Sequence, residues 1–309
     1  GKKYGLPVYQ LLGGKSRDYL ALYLHVHGDT ADALIKRARE EVSLGVKNLR
    51  YSFSTCNPFH ADERFPQPHQ DLHLNNRFEQ ASPDSDTWET EPYLIDLPVI
   101  TKALRNAMGP HIGLIHDIHS RCMGIQAARA ARELEPFNLL FLEDPVEPLN
   151  WEGLELVRNA SIIPLAFGEL FTRLDQCLPL IQRRLIDYLR LDISRFGGLT
   201  PLRKAAYIGE AYGVKTAFHG PGDISPIAHA AQVHLDYHVS NFGIQEFLHH
   251  DSRVWDVFTW DFQIENGYLK VGDAPGLGVS VNETAAWEYP YRKSYIPGLR
   301  DVSGAVHDW

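Results

Sequence analysis

Three short apolar runs each end in a carboxylate, and the three endings fall at one interval. Ile112-Gly113-Leu114-Ile115-His116 leads to Asp117, Leu139-Leu140-Phe141-Leu142 to Glu143, and Pro164-Leu165-Ala166-Phe167-Gly168 to Glu169. Each acid stands 26 residues after the one before. Short apolar runs separated by longer amphipathic stretches read as strands and helices in alternation. Runs at 20–25, 47–53, 188–193, 215–218 and 242–247 continue the pattern on either side. Thr30 reads as the N-cap of a helix with Leu34, Ile35, Ala38 and Val42 as its apolar stripe and Gly45 as its stop. Further helices are expected over 125–134, 151–159, 174–184, 201–212 and 226–235. Eight β segments alternating with helices favour an α/β fold of the (β/α)8 barrel type, with an open doubly wound sheet as the alternative. The barrel is expected over 19–275, with a tail at 276–309 over its mouth or cap.

One connection breaks the rhythm. Residues 54–92 form a long stretch rich in Pro, His, Asn, Asp and Ser, and 60–92 holds eight acids against two arginines. Following the second strand, it is expected to lie over the barrel mouth, to reach a second subunit, or to be a solvated excursion.

Composition narrows the partners. The chain has 309 residues and a net charge of −9, which argues against nucleic acid or an anionic membrane as its main partner. An anionic substrate remains compatible, because local charges in a cleft outweigh the global balance. Cys56, Cys122 and Cys177 stand far apart with no CxxC pair, so neither a disulfide framework nor a thiolate zinc site is expected. No apolar run approaches the ~18 residues of a membrane helix, and Gly1-Lys2-Lys3-Tyr4 opens no signal peptide. A cytoplasmic enzyme of small molecules, assembled as a homo-oligomer, is the expectation.

In barrel enzymes the chemistry sits at the C-terminal ends of the strands. Three acids at matching strand ends converge, and converging carboxylates repel unless a cation or proton lies between them. Hard oxygen ligands suit Mg2+ better than Zn2+; a lone acid after a strand is more often a helix cap or a salt bridge. Alternation along a strand puts Asp117 and His119 on one side and His116 on the other. His119 is therefore a candidate acid or base at the mouth. His60, His69, His73, His249 and His250 sit in polar stretches and read as solvated.

The carboxylate ladder, with Phe141-Leu142-Glu143-Asp144-Pro145 and Gly168-Glu169, resembles the enolase superfamily. Gly197-Gly198-Leu199-Thr200, the run from His219 to Pro226, Asn241-Phe242-Gly243-Ile244-Gln245-Glu246 and Ala274-Pro275-Gly276-Leu277-Gly278 look like its mannonate dehydratase group. The resemblance implies Mg2+ on Asp117, Glu143 and Glu169 and dehydration of an acid sugar to a 2-keto-3-deoxy acid. It implies an arginine on the second strand at Arg50, a general acid at His119, and substrate contacts from Asp223, Glu246 and the C-terminal Trp309. Three departures stand out. The group's tyrosine after strand two has no counterpart in Thr55-Cys56-Asn57-Pro58-Phe59-His60. Asp192 and His219 match instead a mandelate-racemase-like dyad in which the aspartate orients the base. The superfamily's N-terminal capping domain is expected to be absent or truncated, with 1–18 as its remnant or linker.

These residues predict a mechanism in which His219, oriented by Asp192, takes a proton from C2 while His119 protonates the departing C3 hydroxyl. The alternatives are an inactive regulatory relative and a racemase or epimerase of the same superfamily. A racemase would need a second base on strand two, where Arg50 is a poor one.

Overall fold

The computed structural model describes residues 1–53, 88–222, 224–291, 299–300 and 305–307. All eight expected strands form: β1 (Leu20–Gly28), β2 (Asn48–Phe53), β3 (Gly113–Asp117), β4 (Phe141–Glu143), β5 (Leu165–Phe167), β6 (Tyr188–Leu189), β7 (Lys215–Thr216) and β8 (Gln245–Glu246). The chain divides into two compact units, and β1 runs from one into the other.

One unit holds His25–Ser43, Asn48–Pro164 and Tyr291–Trp309. Its strands β2, β3 and β4 are parallel neighbours. On β2 the side chains alternate: Leu49, Tyr51 and Phe53 are buried on the helix side, and Asn48, Arg50 and Ser52 take the other face. Helix α1 (Ala31–Ser43) starts where expected, with Ala33 N–H donating to Thr30 Oγ1 at 3.2 Å. Helix α2 (Thr90–Met108) was not expected, and it moves the end of the long connection from Pro92 back to Glu89. Helices α3 (Gly124–Leu134) and α4 (Trp151–Ala160) pack against each other through Gly124 and Gly153. A Cβ on Gly124 would stand 2.6 Å from Gly153 Cα, so only glycine allows that approach.

The other unit holds Gly1–Leu24, Leu44–Lys47 and Leu165–Pro290. Here β5, β6 and β7 are parallel, and β8 runs parallel to β1 through Leu22↔Gln245 and Tyr23↔Glu246. A single bridge, Thr216↔Phe242, joins β7 to the segment leading into β8. An antiparallel hairpin of β10 (Phe262–Glu265) and β11 (Tyr268–Val271) adds to β1, so the sheet is mixed. Strands β9 (Phe258–Trp260) and β12 (Val279–Val281) form a separate pair. Helices α5 (Leu174–Gln182), α6 (Leu199–Ala211) and α7 (Pro226–His238) follow β5, β6 and β7. Among the described residues, no helix is long and apolar enough to cross a membrane.

Cys122 and Cys177 are buried free thiols, each pushed up to about 12 by burial, which leaves them inert. One histidine departs from expectation. His250 is buried against Trp255 and Trp260, and its Nδ1–H donates to the Gly222 carbonyl at 3.1 Å. Its polar neighbours in sequence suggested solvent, but two indoles shield it. Cys56, His60, His69 and His73 lie outside the described residues.

Candidate active site

In the β2–β4 unit, Asp117 pairs in register with Glu143, so two carboxylates end adjacent strands side by side. They are 8% and 0% exposed. Burying two like charges is costly unless positive charge accompanies them. Arg50 supplies it: Nη2 donates to Asp117 Oδ2, and Nε lies 3.7 Å from Glu143 Oε2. Arg50 Nη1 also lies 3.0 Å from His25 Nδ1 at the end of β1. Asp144 is buried next in the chain, with carboxylate oxygens of Glu143 and Asp144 within 4.8 Å of each other. His119 follows in a left-handed conformation, φ 58°, its backbone N–H donating to Asp117 Oδ1 at 2.6 Å. The turn that carries His119 thus also anchors the Asp117 carboxylate.

His116 takes the opposite face. Its Nδ1–H donates to the Tyr51 carbonyl at 3.2 Å and its Nε2 accepts from the Tyr93 hydroxyl at 2.9 Å. Burial lowers its pKa to about 3, so it stays neutral and structural.

In the β5–β8 unit, Glu169 comes after Gly168, whose φ of 124° favours glycine. Around it stand Asp192, His219, Arg190 and Glu246. His219 Nδ1–H donates to Asp192 Oδ2 at 2.8 Å, while its Nε2 lies 3.3 Å from Glu169 Oε2. Asp192 is oriented in turn by Ser194 and Arg195, whose backbone N–H groups donate to Oδ1 at 2.6 and 3.2 Å. Burial alone would lower the His219 pKa, but the charge of Glu169 and the bond to Asp192 outweigh it and raise the value to about 9. Burial pushes the Asp192 carboxyl up, and its bond to His219 prevails and holds it below the usual range. Arg190 is fully buried. It donates to Glu246 Oε2 at 2.9 Å and to the Ala217 and Phe218 carbonyls, tying β6 to β7 and β8. Gly220 N–H donates to the same Glu246 oxygen at 2.6 Å. Glu246 is therefore held by two donors, and its orientation is set before any substrate arrives.

The structure thus gathers Arg50, Asp117, Glu143 and His119 in one unit, and Glu169, Asp192, His219 and Glu246 in the other. Asp223 and Trp309 lie outside the described residues. Arg190, His25 and Asp144 are additional polar groups at these strand ends. Arg190 had a signal in the sequence, a lone charge within the apolar Tyr188-Leu189-Arg190-Leu191. His25 had one too, alternating with His27 at the end of β1.

Comparison with known proteins identifies the family. The family described as Enolase C-terminal domain-like matches residues 98–285. A D-galactonate dehydratase family member of Pseudarthrobacter chlorophenolicus is 41% identical over 316 residues, covering 100% of this chain and 76% of its own length. A D-mannonate dehydratase of Caulobacter sp. is 38% identical, covering 100% of this chain and 75% of its own. A crystal structure of an enolase from Pantoea ananatis with bound D-gluconate and Mg aligns with a TM-score of 0.89 at 37% identity, over 99% of this chain and 75% of that one. The chain belongs to the enolase superfamily, among relatives named D-galactonate and D-mannonate dehydratase family members.

Proposed function

We propose that the protein is an acid-sugar dehydratase acting on an aldonate of the D-mannonate or D-gluconate kind, and that its strands close as a (β/α)8 barrel. Asp117, Glu143 and Glu169 are the residues that would hold Mg2+. Their chemistry fits it: carboxylate oxygens are hard donors, all three are buried, and Arg50 already lies against two of them. When bound, Mg2+ supplies Lewis-acid stabilisation of the negative charge that builds on the substrate carboxylate.

The chain's own residues do the rest. The Glu169 charge helps raise the His219 pKa, and a metal held by Glu169 would offset that charge; neutral His219 then takes the C2 proton at Nε2, while Asp192 holds Nδ1–H and stabilises the resulting imidazolium. His119 gives a proton to the C3 oxygen; the C3–O bond breaks with its electron pair on oxygen, and water leaves. Arg50 and Glu246 orient the substrate, together with Asp223 and Trp309. The observation that carries this reading is the 2.8 Å bond from His219 to Asp192, with the other ring nitrogen 3.3 Å from Glu169. That is an oriented base beside a proposed ligand of the metal. The relatives' names and the gluconate-bound neighbour support the acid-sugar class.

The test is a panel of aldonates incubated with the protein and Mg2+, assayed for 2-keto-3-deoxy acids. At least one aldonate should be converted, and chelation should abolish the conversion. Epimerised acid without any keto acid would move the reading to a racemase, and no reaction at all to a non-catalytic relative.

A further inference from the structure

Strand β1 ends in Tyr23-Leu24-His25-Val26-His27-Gly28, and alternation puts His25 and His27 on one face with Val26 buried on the other. His25 meets Arg50 on β2. Two residues further along each strand, His27 meets Ser52, with 3.0 Å between Nδ1 and Oγ. The second ring nitrogen, Nε2, lies 3.3 Å from Asp29 Oδ1. A carboxylate only accepts, so Nε2 carries the proton and donates to Asp29, and Nδ1 accepts from the Ser52 hydroxyl. The register that pairs Arg50 with Ile115 and Tyr51 with His116 carries Ser52 alongside Asp117, which pairs with Glu143. One end of this chain of bonds is therefore in the row of the proposed metal carboxylates. The other end is wet: the Asp29 side chain is 40% exposed and that of His27 12%.

We propose that Asp29, His27 and Ser52 form a proton relay between solvent and the substrate, serving the conversion of the enol product into the keto acid. The assignment rests on the dehydratase reading. Loss of the C2 proton and the C3 hydroxyl leaves an enol, whose C2 hydroxyl must lose its proton while C3 gains one. A serine hydroxyl is suited to exchange protons with oxygen rather than with carbon. Of the two oxygen-borne proton steps, His119 accounts for the departing hydroxyl, and the enol hydroxyl has no other assigned acceptor. In the proposed step, Ser52 Oγ takes the enol proton as its own passes to His27 Nδ1. The released O–H pair becomes the C2=O bond, and the C2=C3 pair forms a C3–H bond with a solvent-derived proton. His27 becomes an imidazolium beside Asp29, then returns its extra proton to water. Ser52 is the group that meets the substrate, and His27 and Asp29 act through it.

Ser52→Ala and His27→Asn test this in the full-length chain, with an aldonate that the unaltered protein dehydrates in D2O. The unaltered protein should deposit deuterium on one face of C3. Either variant should release the enol to ketonise in solution, spreading the label over both faces, with kcat lower by about tenfold to a hundredfold and C2 exchange retained. Single-face labelling by both variants, or two-face labelling by the unaltered protein, would overturn the relay while leaving the dehydratase reading in place. An unaltered protein that dehydrates no aldonate overturns that reading instead, and the enol role with it. A second readout needs neither metal nor turnover. The 15N shifts of His27 should report the Nε2–H tautomer, and Ser52→Ala and Asp29→Asn should each move them. Shifts indifferent to both substitutions would show that no relay exists.

Discussion

Asp192 accepts from His219 on one oxygen and from two backbone N–H groups on the other. An amide can keep the backbone bonds, so Asp192→Asn isolates the charge and the tautomer it enforces. We expect it to leave the fold and KM nearly unchanged and to lower the rate of C2 proton removal by about 10²–10⁴-fold. Deuterium exchange at C2, measured under saturating substrate, checks this; an unchanged rate would remove His219 from the base role. Much at this scale was legible beforehand. The Asp192–His219 pair was implied by the resemblance to a mandelate-racemase-like dyad, and the outward turn of His116 follows from strand period. Arg190 did not follow, because a charged residue at full burial is understood only once its partner Glu246 is seen beside it.

At the scale of elements, the eight strands were readable because short apolar runs bounded by turns and amphipathic stretches carry their own period. Helix α2 escaped because the long polar connection was expected to run to Pro92, yet Pro92 falls in the helix's first turn, where no N–H is required, and Pro98 sits inside the helix. Its stripe of Tyr93, Leu94, Leu97 and Leu104 is buried, and that packing outweighs the cost of Pro98. The β10–β11 hairpin escaped for another reason. Three of the four residues of β10 are exposed, which leaves no alternation to read. The contact of α3 with α4 gives an element-scale prediction. Gly124→Ala drives a methyl against the Gly153 backbone and should cost about 1–3 kcal/mol, read from urea unfolding. A loss below a few tenths of a kcal/mol would mean that the two helices separate without penalty.

For the whole molecule, buried titratable groups set the response to pH. Burial holds His229 and His234 down to about 4, against a usual 6.5. Between those values the unfolded chain binds protons that the folded chain refuses, so their contribution is complete above 6.5 and is lost as pH falls toward 4. His116 acts in the same direction. Asp236 acts in the opposite one. Burial raises it to about 8 from 3.8, so the folded chain keeps a proton that the unfolded one releases, and stability falls as pH rises across that window. Asp236→Asn keeps an acceptor for the Thr216 hydroxyl, 2.6 Å away, and removes the ionisation. Thermal denaturation should show the variant gaining most at the alkaline end of the window; an equal change at every pH would contradict the buried-acid account. The central claim concerns the carboxylates at the strand ends and the imidazole beside one of them, and C2 exchange tests it most directly. With an aldonate in D2O, the protein should exchange the C2 proton with Mg2+ and stop on chelation, and His219→Asn should not exchange at all. Exchange that survives both chelation and His219→Asn would contradict the account.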